Sequence, residues 1–201
     1  MSIALDVAER LSAMPEASAI AIRLNVNTYF DVIQGIMDNF AAQKQLQTIY
    51  ITATLPSQPI IEALEMLEID LTNVHFIDSV ANILMSKGDK RNDVFYVESP
   101  TMLENLILKV EYLLKKTSPE QKTVVLLDAI NSLAIHNNPK ILSEFMHILV
   151  NNLRSKHVYT IILSLSEHSN QEIDNMTSFV CDDTIIVEEP AQEPIAGGEE
   201  E

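Results

Sequence analysis

Cysteine, glycine and basic residues are all scarce in this sequence of 201 residues. The one cysteine, Cys181, cannot form an internal disulfide, which fits a reducing compartment. No apolar run approaches the roughly 18 to 20 residues that a bilayer-crossing helix needs. Asp6 and Glu9 stand where a secretory signal would carry basic residues. We therefore expect a cytoplasmic protein with a single folded domain.

Only 13 lysine and arginine residues oppose 29 aspartates and glutamates, so the formal net charge is −16. Binding to phosphate groups needs a basic surface. We therefore expect neither nucleic acid nor a membrane as a partner. Residues 188–201 combine six glutamates with proline and glycine, which predicts a disordered acidic tail. Such a tail either binds a partner or only keeps the protein soluble.

Short β-rich runs alternate with amphipathic stretches between residues 19 and 187, which predicts βα units and a mostly parallel sheet. Several of the runs are continuously apolar, as expected for strands that are covered on both faces. The predicted strands are Ala19–Leu24, Thr48–Thr54, Val74–Asp78, Val94–Val97, Thr123–Asp128, Val158–Leu165 and Asp183–Val187.

Apolar residues at helical spacing predict three core-facing helices. One covers Leu103–Leu114 behind an N-cap and first turn at Ser99-Pro100, and another follows Asn138-Pro139. The third stripe comprises Phe30, Ile33, Met37 and Phe40. Residues 1–18 are predicted to form an amphipathic helix that covers an edge of the sheet or pairs with another copy. The segment Ser79–Asp93 is predicted to be a surface loop.

Ligands of open parallel sheets bind beyond the carboxyl ends of the strands. Polar residues that follow the predicted strands are therefore our candidates for a nucleotide or small-molecule site: Asn25, Asn27, Thr28, Thr54, Asp128 and Ser132. Four carboxylates also fall at strand ends, namely Asp78, Glu98, Asp128 and Glu167. They are either ligands for a hard cation or helix caps and solvated loop residues. The five histidines show no zinc-binding spacing, and no G-x-S-x-G nucleophile elbow is present.

Three strings carry a resemblance to a known family: IYITATLPSQPIIEALEMLEIDLTNVHFID, VFYVESPTMLENLILKVEYLL and TVVLLDAINSLAIHNNPKILSEFMHILVNNLRSKHVYTIILSLSE. In their order and pattern they resemble the RecA superfamily, especially archaeal KaiC-like proteins, from Ala19 to Glu188. The resemblance implies a three-layer α/β fold with helices on both faces of the sheet. It also implies that Asp128 corresponds to the Walker B aspartate, which holds magnesium beside the phosphates.

Two departures from that family concern its ATP site. The family's G-x-x-x-x-G-K-[ST] loop should follow the first strand, but residues 24–31 contain no glycine and no lysine. Gly35 and Gly88 are the only glycines before the tail. Thr28 stands near the family's Ser/Thr position, whereas Asp31 brings negative charge. Residues 52–54, Thr-Ala-Thr, replace the acidic catalytic positions after the second strand.

These departures predict that the chain does not hydrolyse ATP and needs no cofactor. Our first hypothesis is a regulatory module that acts through self-association or a partner protein. The alternative is a protein that binds a nucleotide or another small molecule in an altered pocket, with Asp128 as the candidate metal ligand. An enzyme of another class ranks third, because no catalytic cluster is visible in the sequence.

Overall fold

The computed structural model describes residues 2–80 and 91–188. Seven parallel strands form one sheet in the order β4-β3-β2-β5-β6-β1-β7. Their bounds are Ala19–Leu24 (β1), Gln47–Thr52 (β2), Val74–Asp78 (β3), Val94–Tyr96 (β4), Thr123–Asp128 (β5), Tyr159–Leu165 (β6) and Asp183–Ile186 (β7). All seven predicted strands are present, and β2 ends two residues before the predicted Thr54.

In residues 2–80 and 91–188, seven α-helices cover the two faces of the sheet, which confirms the three-layer α/β fold. One face carries α1 (Ile3–Ala13), α2 (Tyr29–Gln34) and α3 (Ser57–Met66), and a π-helical segment, Gly35–Ala42, continues α2. The other face carries α4 (Leu103–Lys116), α5 (Ile130–His136), α6 (Pro139–Ser155) and α7 (Gln171–Val180).

The directions of the connections that follow the strands identify the edge of the sheet at which a ligand is expected to bind. β1 and β2 are followed by α2 and α3 on one face, whereas β5 and β6 are followed by α5 and α7 on the other. Because β2 lies beside β5 and β1 beside β6, neighbouring strands send their chains to opposite faces at both places. Such reversals open the crevices in which α/β proteins bind ligands.

Helix α1 packs closely against the segment that continues α2. A Cβ atom on Gly35 would lie 2.6 Å from the backbone oxygen of Ala4, so only glycine fits at this crossing. The amphipathic pattern of the N-terminal helix is explained by this packing, since Val7 and Leu11 are buried in the same core as Ile36 and Phe40.

Two details of the helix predictions were wrong. Helix α4 begins at Leu103, and Ser99 instead accepts a hydrogen bond from the amide of Thr101 in the preceding turn. Phe30, predicted to face the core, is 48% exposed, while Ile33 and Met37 of the same stripe are buried. The π-helical turn shifts the angular positions of the side chains, so a strict 3.6-residue period places Phe30 incorrectly.

Two predicted segments fall largely outside the described residues. Of the predicted loop Ser79–Asp93, residues 81–90 lie outside them, and so does almost all of the predicted acidic tail, residues 189–201. Among the residues described, no helix has the length and apolar character to cross a membrane.

Candidate functional site

Asp128 ends β5 and is 1% exposed, on the face of the sheet that α2 covers. Its Oδ2 atom accepts hydrogen bonds from the Tyr50 hydroxyl at 2.7 Å and from the Tyr29 hydroxyl. The two hydroxyl oxygens are 3.1 Å apart. Tyr50 comes from β2 and Tyr29 from the first turn of α2, so three elements meet at one carboxylate oxygen. We call Tyr29, Tyr50 and Asp128 the tyrosine–aspartate cluster.

Burial dominates the electrostatics of this cluster. It raises the pKa of the Asp128 carboxyl, and the hydrogen bonds from Tyr29 and Tyr50 only partly oppose that effect. Burial also raises the pKa of both phenols, to which the charge of Asp128 adds. Both hydroxyls therefore keep their protons at neutral pH and act as donors to Asp128.

Asp128 belongs to a row of three polar side chains at the carboxyl end of the sheet. Thr52 pairs in register with Asp78 on one side and with Asp128 on the other, and all three are buried. Within the described structure, Thr52 Oγ1 and Asp128 Oδ1 are buried without a hydrogen-bond partner. Buried polar atoms are usually paired, so these two stand out.

The other strand-end carboxylates have separate local roles. Asp78 accepts hydrogen bonds from the amide of Ser57 at 2.6 Å, at the start of α3, and from the amide of Val80 at 2.8 Å. Glu167 accepts one from the amide of Val26 at 2.9 Å, and Glu98 is exposed. Residues 2–80 and 91–188 contain no group of three or more histidine, cysteine or acidic side chains placed to hold a metal ion. Of the two interpretations of the strand-end carboxylates, cation ligand or helix cap, the helix cap therefore describes Asp78.

The connection after β1 is held by its own side chains. Asn25 Oδ1 accepts a hydrogen bond from the amide of Thr28 at 2.9 Å, and the Thr28 hydroxyl donates to the Asn25 carbonyl at 3.1 Å. These bonds close a short 3-10 turn, Val26–Thr28, that leads directly into α2. Thr28 is buried, whereas Asn27 is exposed. Asn25 and Thr28 thus shape the connection itself.

A second group of candidates joins the ends of β2 and β5. The hydroxyls of Thr54 and Ser132 are 2.9 Å apart, and Thr54 also accepts a hydrogen bond from the amide of Ala129 at 3.1 Å. The peptide bond between Asp128 and Ala129 is cis. The structure therefore brings Thr54, Asp128 and Ser132 together. Asn25, Asn27 and Thr28 lie at the end of β1, which β6 separates from β5.

Sequence reasoning missed Tyr29, Tyr50 and Asn131. Buried Asn131 joins α5 to β6, because its side chain donates to the Leu165 carbonyl at 3.2 Å and accepts from the Leu165 amide at 2.7 Å. Alternation along β2 could have placed Tyr50 and Thr52 on one face. The register of β2 against β5, which brings both beside Asp128, has no signal in the sequence.

These residues fit a magnesium–nucleotide complex poorly. The β1–α2 connection, residues 25–28, offers no lysine, no glycine and no charged residue, and the first turn of α2 adds the negative charge of Asp31. A phosphate cradle needs backbone amides that approach the anion closely, together with a cation that offsets its charge. The Oδ2 atom of Asp128 already accepts two phenolic hydrogen bonds beneath α2.

Comparison with known proteins identifies the family. A family model described as "ATPase: KaiC" matches residues 37–194, a span that begins after the β1–α2 connection. The crystal structure of the KaiC-like protein PH0186 from the hyperthermophilic archaeon Pyrococcus horikoshii OT3 is similar in fold. Its TM-score is 0.61 at 13% sequence identity, and the match covers 86% of this chain and 72% of that one. A search of curated proteins found no match. Since the family model spans more than half of the sequence, the chain belongs to the KaiC family of ATPases.

Proposed function

We propose that this chain is a KaiC-like domain that does not hydrolyse ATP and acts by binding another protein. The observation that carries the proposal is the tyrosine–aspartate cluster. The family resemblance implies that Asp128 corresponds to the Walker B aspartate, yet two tyrosine hydroxyls bind its Oδ2 atom and α2 covers it. A carboxylate engaged in this way contributes to the packing of α2 on the sheet.

The connection after β1 supports the same conclusion. A working phosphate loop uses glycines and a lysine, whereas this connection is closed by Asn25 and Thr28 and leads to Tyr29, which binds Asp128. The phosphate-loop position and the Walker B position are thus both altered, and the altered residues bind each other through Tyr29 and Asp128. A protein without its reaction keeps a role only through what it binds, and the acidic surface makes phosphate-rich partners unfavourable.

The experiment is a magnesium-dependent ATPase assay on the purified chain, together with the variants Asp128→Asn and Glu98→Gln. We expect the same background rate for all three proteins. Glu98 is the matched control, because it is a strand-end carboxylate that is exposed at the same edge. Turnover that requires magnesium, survives in Glu98→Gln and disappears in Asp128→Asn would refute the proposal.

A small-molecule binding protein is the second candidate. The paired hydroxyls of Thr54 and Ser132 favour it, because they lie beside Asp128 at the β2–β5 reversal where this fold binds ligands. A thermal-shift panel of nucleotides with and without magnesium tests it. A ligand at about 100 times its dissociation constant stabilises a protein by roughly 2.7 kcal/mol. No shift with any nucleotide would exclude nucleotides as the ligand.

A further inference from the structure

Three large apolar side chains are exposed at the carboxyl end of the sheet. Val26 is 58% exposed, Phe30 48% and Leu55 49%. Val26 and Phe30 follow β1, and Leu55 follows β2, so all three lie at the edge described above. We call them the edge patch. Single exposed apolar residues are common on protein surfaces, but grouped ones mark interaction sites.

A series of contacts links Phe30 to the residue before Leu55. The rings of Phe30 and Tyr29 pack edge to face with their centres 5.1 Å apart, and the Tyr29 hydroxyl binds Asp128. The next residue after Asp128, Ala129, donates its amide hydrogen bond to Thr54, the neighbour of Leu55. The tyrosine–aspartate cluster therefore fixes the position of Phe30 relative to the end of β2.

The size of the edge patch matches a short helix. Two strands, β5 and β6, separate β2 from β1, and neighbouring strands lie about 4.8 Å apart, so Leu55 and Val26 follow strands roughly 14 Å apart. A helix rises about 1.5 Å per residue, so roughly ten residues cover this distance. An amphipathic helix that binds a groove or patch contacts it with apolar residues at i, i+3 or i+4 and i+7.

The charges around the edge patch select the partner. Apart from the connection after β3, the described segments that follow the strands, taken through the first three residues of any helix that comes next, contain no lysine or arginine. They carry six carboxylates, namely Asp31, Glu98, Glu104, Glu167, Glu172 and Glu188. Asp31 is next to Phe30 in sequence, and Glu167 binds the amide of Val26. Lysines precede strands at the opposite edge, such as Lys44 before β2 and Lys122 before β5. An acidic rim repels nucleic acids and anionic lipids and attracts cationic partners.

We propose that the edge patch binds an amphipathic helix of a partner protein, with apolar residues on one face and lysine or arginine on the other. Phe30 and Leu55 are its apolar anchors, and Asp31 and Glu167 bind its cations. This inference rests on the proposed function, because it places the partner at the edge of the sheet where a working family member would bind the phosphates of ATP.

The test uses a fluorescent synthetic peptide of about 14 residues, long enough to cover the patch, with leucines at helical spacing and lysines on the opposite face. Binding is measured by anisotropy with the full chain and with Phe30→Ser and Leu55→Ser. We expect each variant to bind at least about tenfold more weakly. Phe179→Ser is the matched control, because Phe179 is 77% exposed on α7, on the other face, and its replacement should leave binding unchanged. Circular dichroism confirms that every variant is folded.

Salt and charge provide the second arm. Raising the salt from about 50 mM to about 300 mM should weaken binding, because contacts between exposed charges are screened. A peptide with glutamate in place of each lysine should not bind. Equal loss of binding in Phe179→Ser, no loss in Phe30→Ser and Leu55→Ser, or equal binding of the glutamate peptide would overturn the proposal.

Other occupants of the edge patch give distinct results. If a second copy covers it, light scattering will show an oligomer that Phe30→Ser or Leu55→Ser dissociates, and the proposal is wrong. Sedimentation with anionic vesicles that depends on Phe30 would also overturn it. The ATPase assay separates the two proposals, because turnover refutes the proposed function whatever the peptide does, and lost peptide specificity without turnover refutes only this inference.

Discussion

Replacing Tyr50 with phenylalanine measures how much the tyrosine–aspartate cluster contributes to folding. The change removes the hydroxyl that donates to Asp128 at 2.7 Å and keeps the buried ring, which stacks on Phe76. Hydrogen bonds contribute about 0.5–1.5 kcal/mol between neutral groups and about 1.5–3 kcal/mol to charged groups. The lost hydroxyl also contacts that of Tyr29 at 3.1 Å. We therefore expect Tyr50→Phe to lower the free energy of unfolding by about 1–3 kcal/mol.

The assay is urea denaturation followed by circular dichroism, with an Asp128→Asn background to complete a double-mutant cycle. At a pH above the native pKa of Asp128 the wild-type acceptor is charged, whereas asparagine is neutral, so the cost of Tyr50→Phe should fall to about 0.5–1.5 kcal/mol in that background. Tyr96→Phe is the control, because Tyr96 ends β4 with its ring partly exposed, and it should cost under about 0.5 kcal/mol. A cost of Tyr50→Phe no larger than that of Tyr96→Phe would refute a structural role for the cluster.

Three further substitutions test other parts of the structure by urea denaturation. Gly35→Ala should cost about 1–3 kcal/mol despite better helix propensity, because its Cβ would lie 2.6 Å from the Ala4 backbone oxygen, and an unchanged midpoint would contradict that contact. Asp78→Ala should cost about 0.5–2 kcal/mol by removing the acceptor at the start of α3, and Asp78→Asn should cost less. Because burial raises the native pKa of Asp128 above its ordinary 3.8, the native state binds more protons and stability falls as pH rises from about 3.8 through the native pKa. Asp128→Asn should remove this loss of stability with rising pH. An identical pH profile for the variant and the wild type would contradict the raised pKa of Asp128.

The sequence predicted the sheet because each strand is a local signal. Continuous apolar runs such as Thr123–Asp128 and Ala19–Leu24 occur at the predicted positions, since burial on both faces demands apolar residues throughout. The candidate residues at strand ends were equally visible, because parallel strands bring their carboxyl ends to one edge.

The tyrosine–aspartate cluster was not predictable, because it depends on the order and register of strands. Tyr50 and Asp128 are 78 residues apart in the chain, and Thr52 pairs with Asp128 only because β2 lies beside β5. Tyr29 precedes Phe30, the first residue of a stripe that was assigned to the core, and the π-helical turn hid which of the two rings faces outward. Long-range pairing and irregular helix geometry therefore account for what sequence reasoning missed.

In the part of the chain that the structure describes, the sheet ends in two very short strands, β4 with three residues and β7 with four. An exposed edge strand offers unpaired amides and carbonyls to any other chain, and short edge strands limit such pairing. β7 also begins with exposed Asp183, and a charge at an edge opposes aggregation. The domain is therefore poorly suited to gaining a strand from a partner or from a misfolded copy, and it should stay dispersed at high concentration.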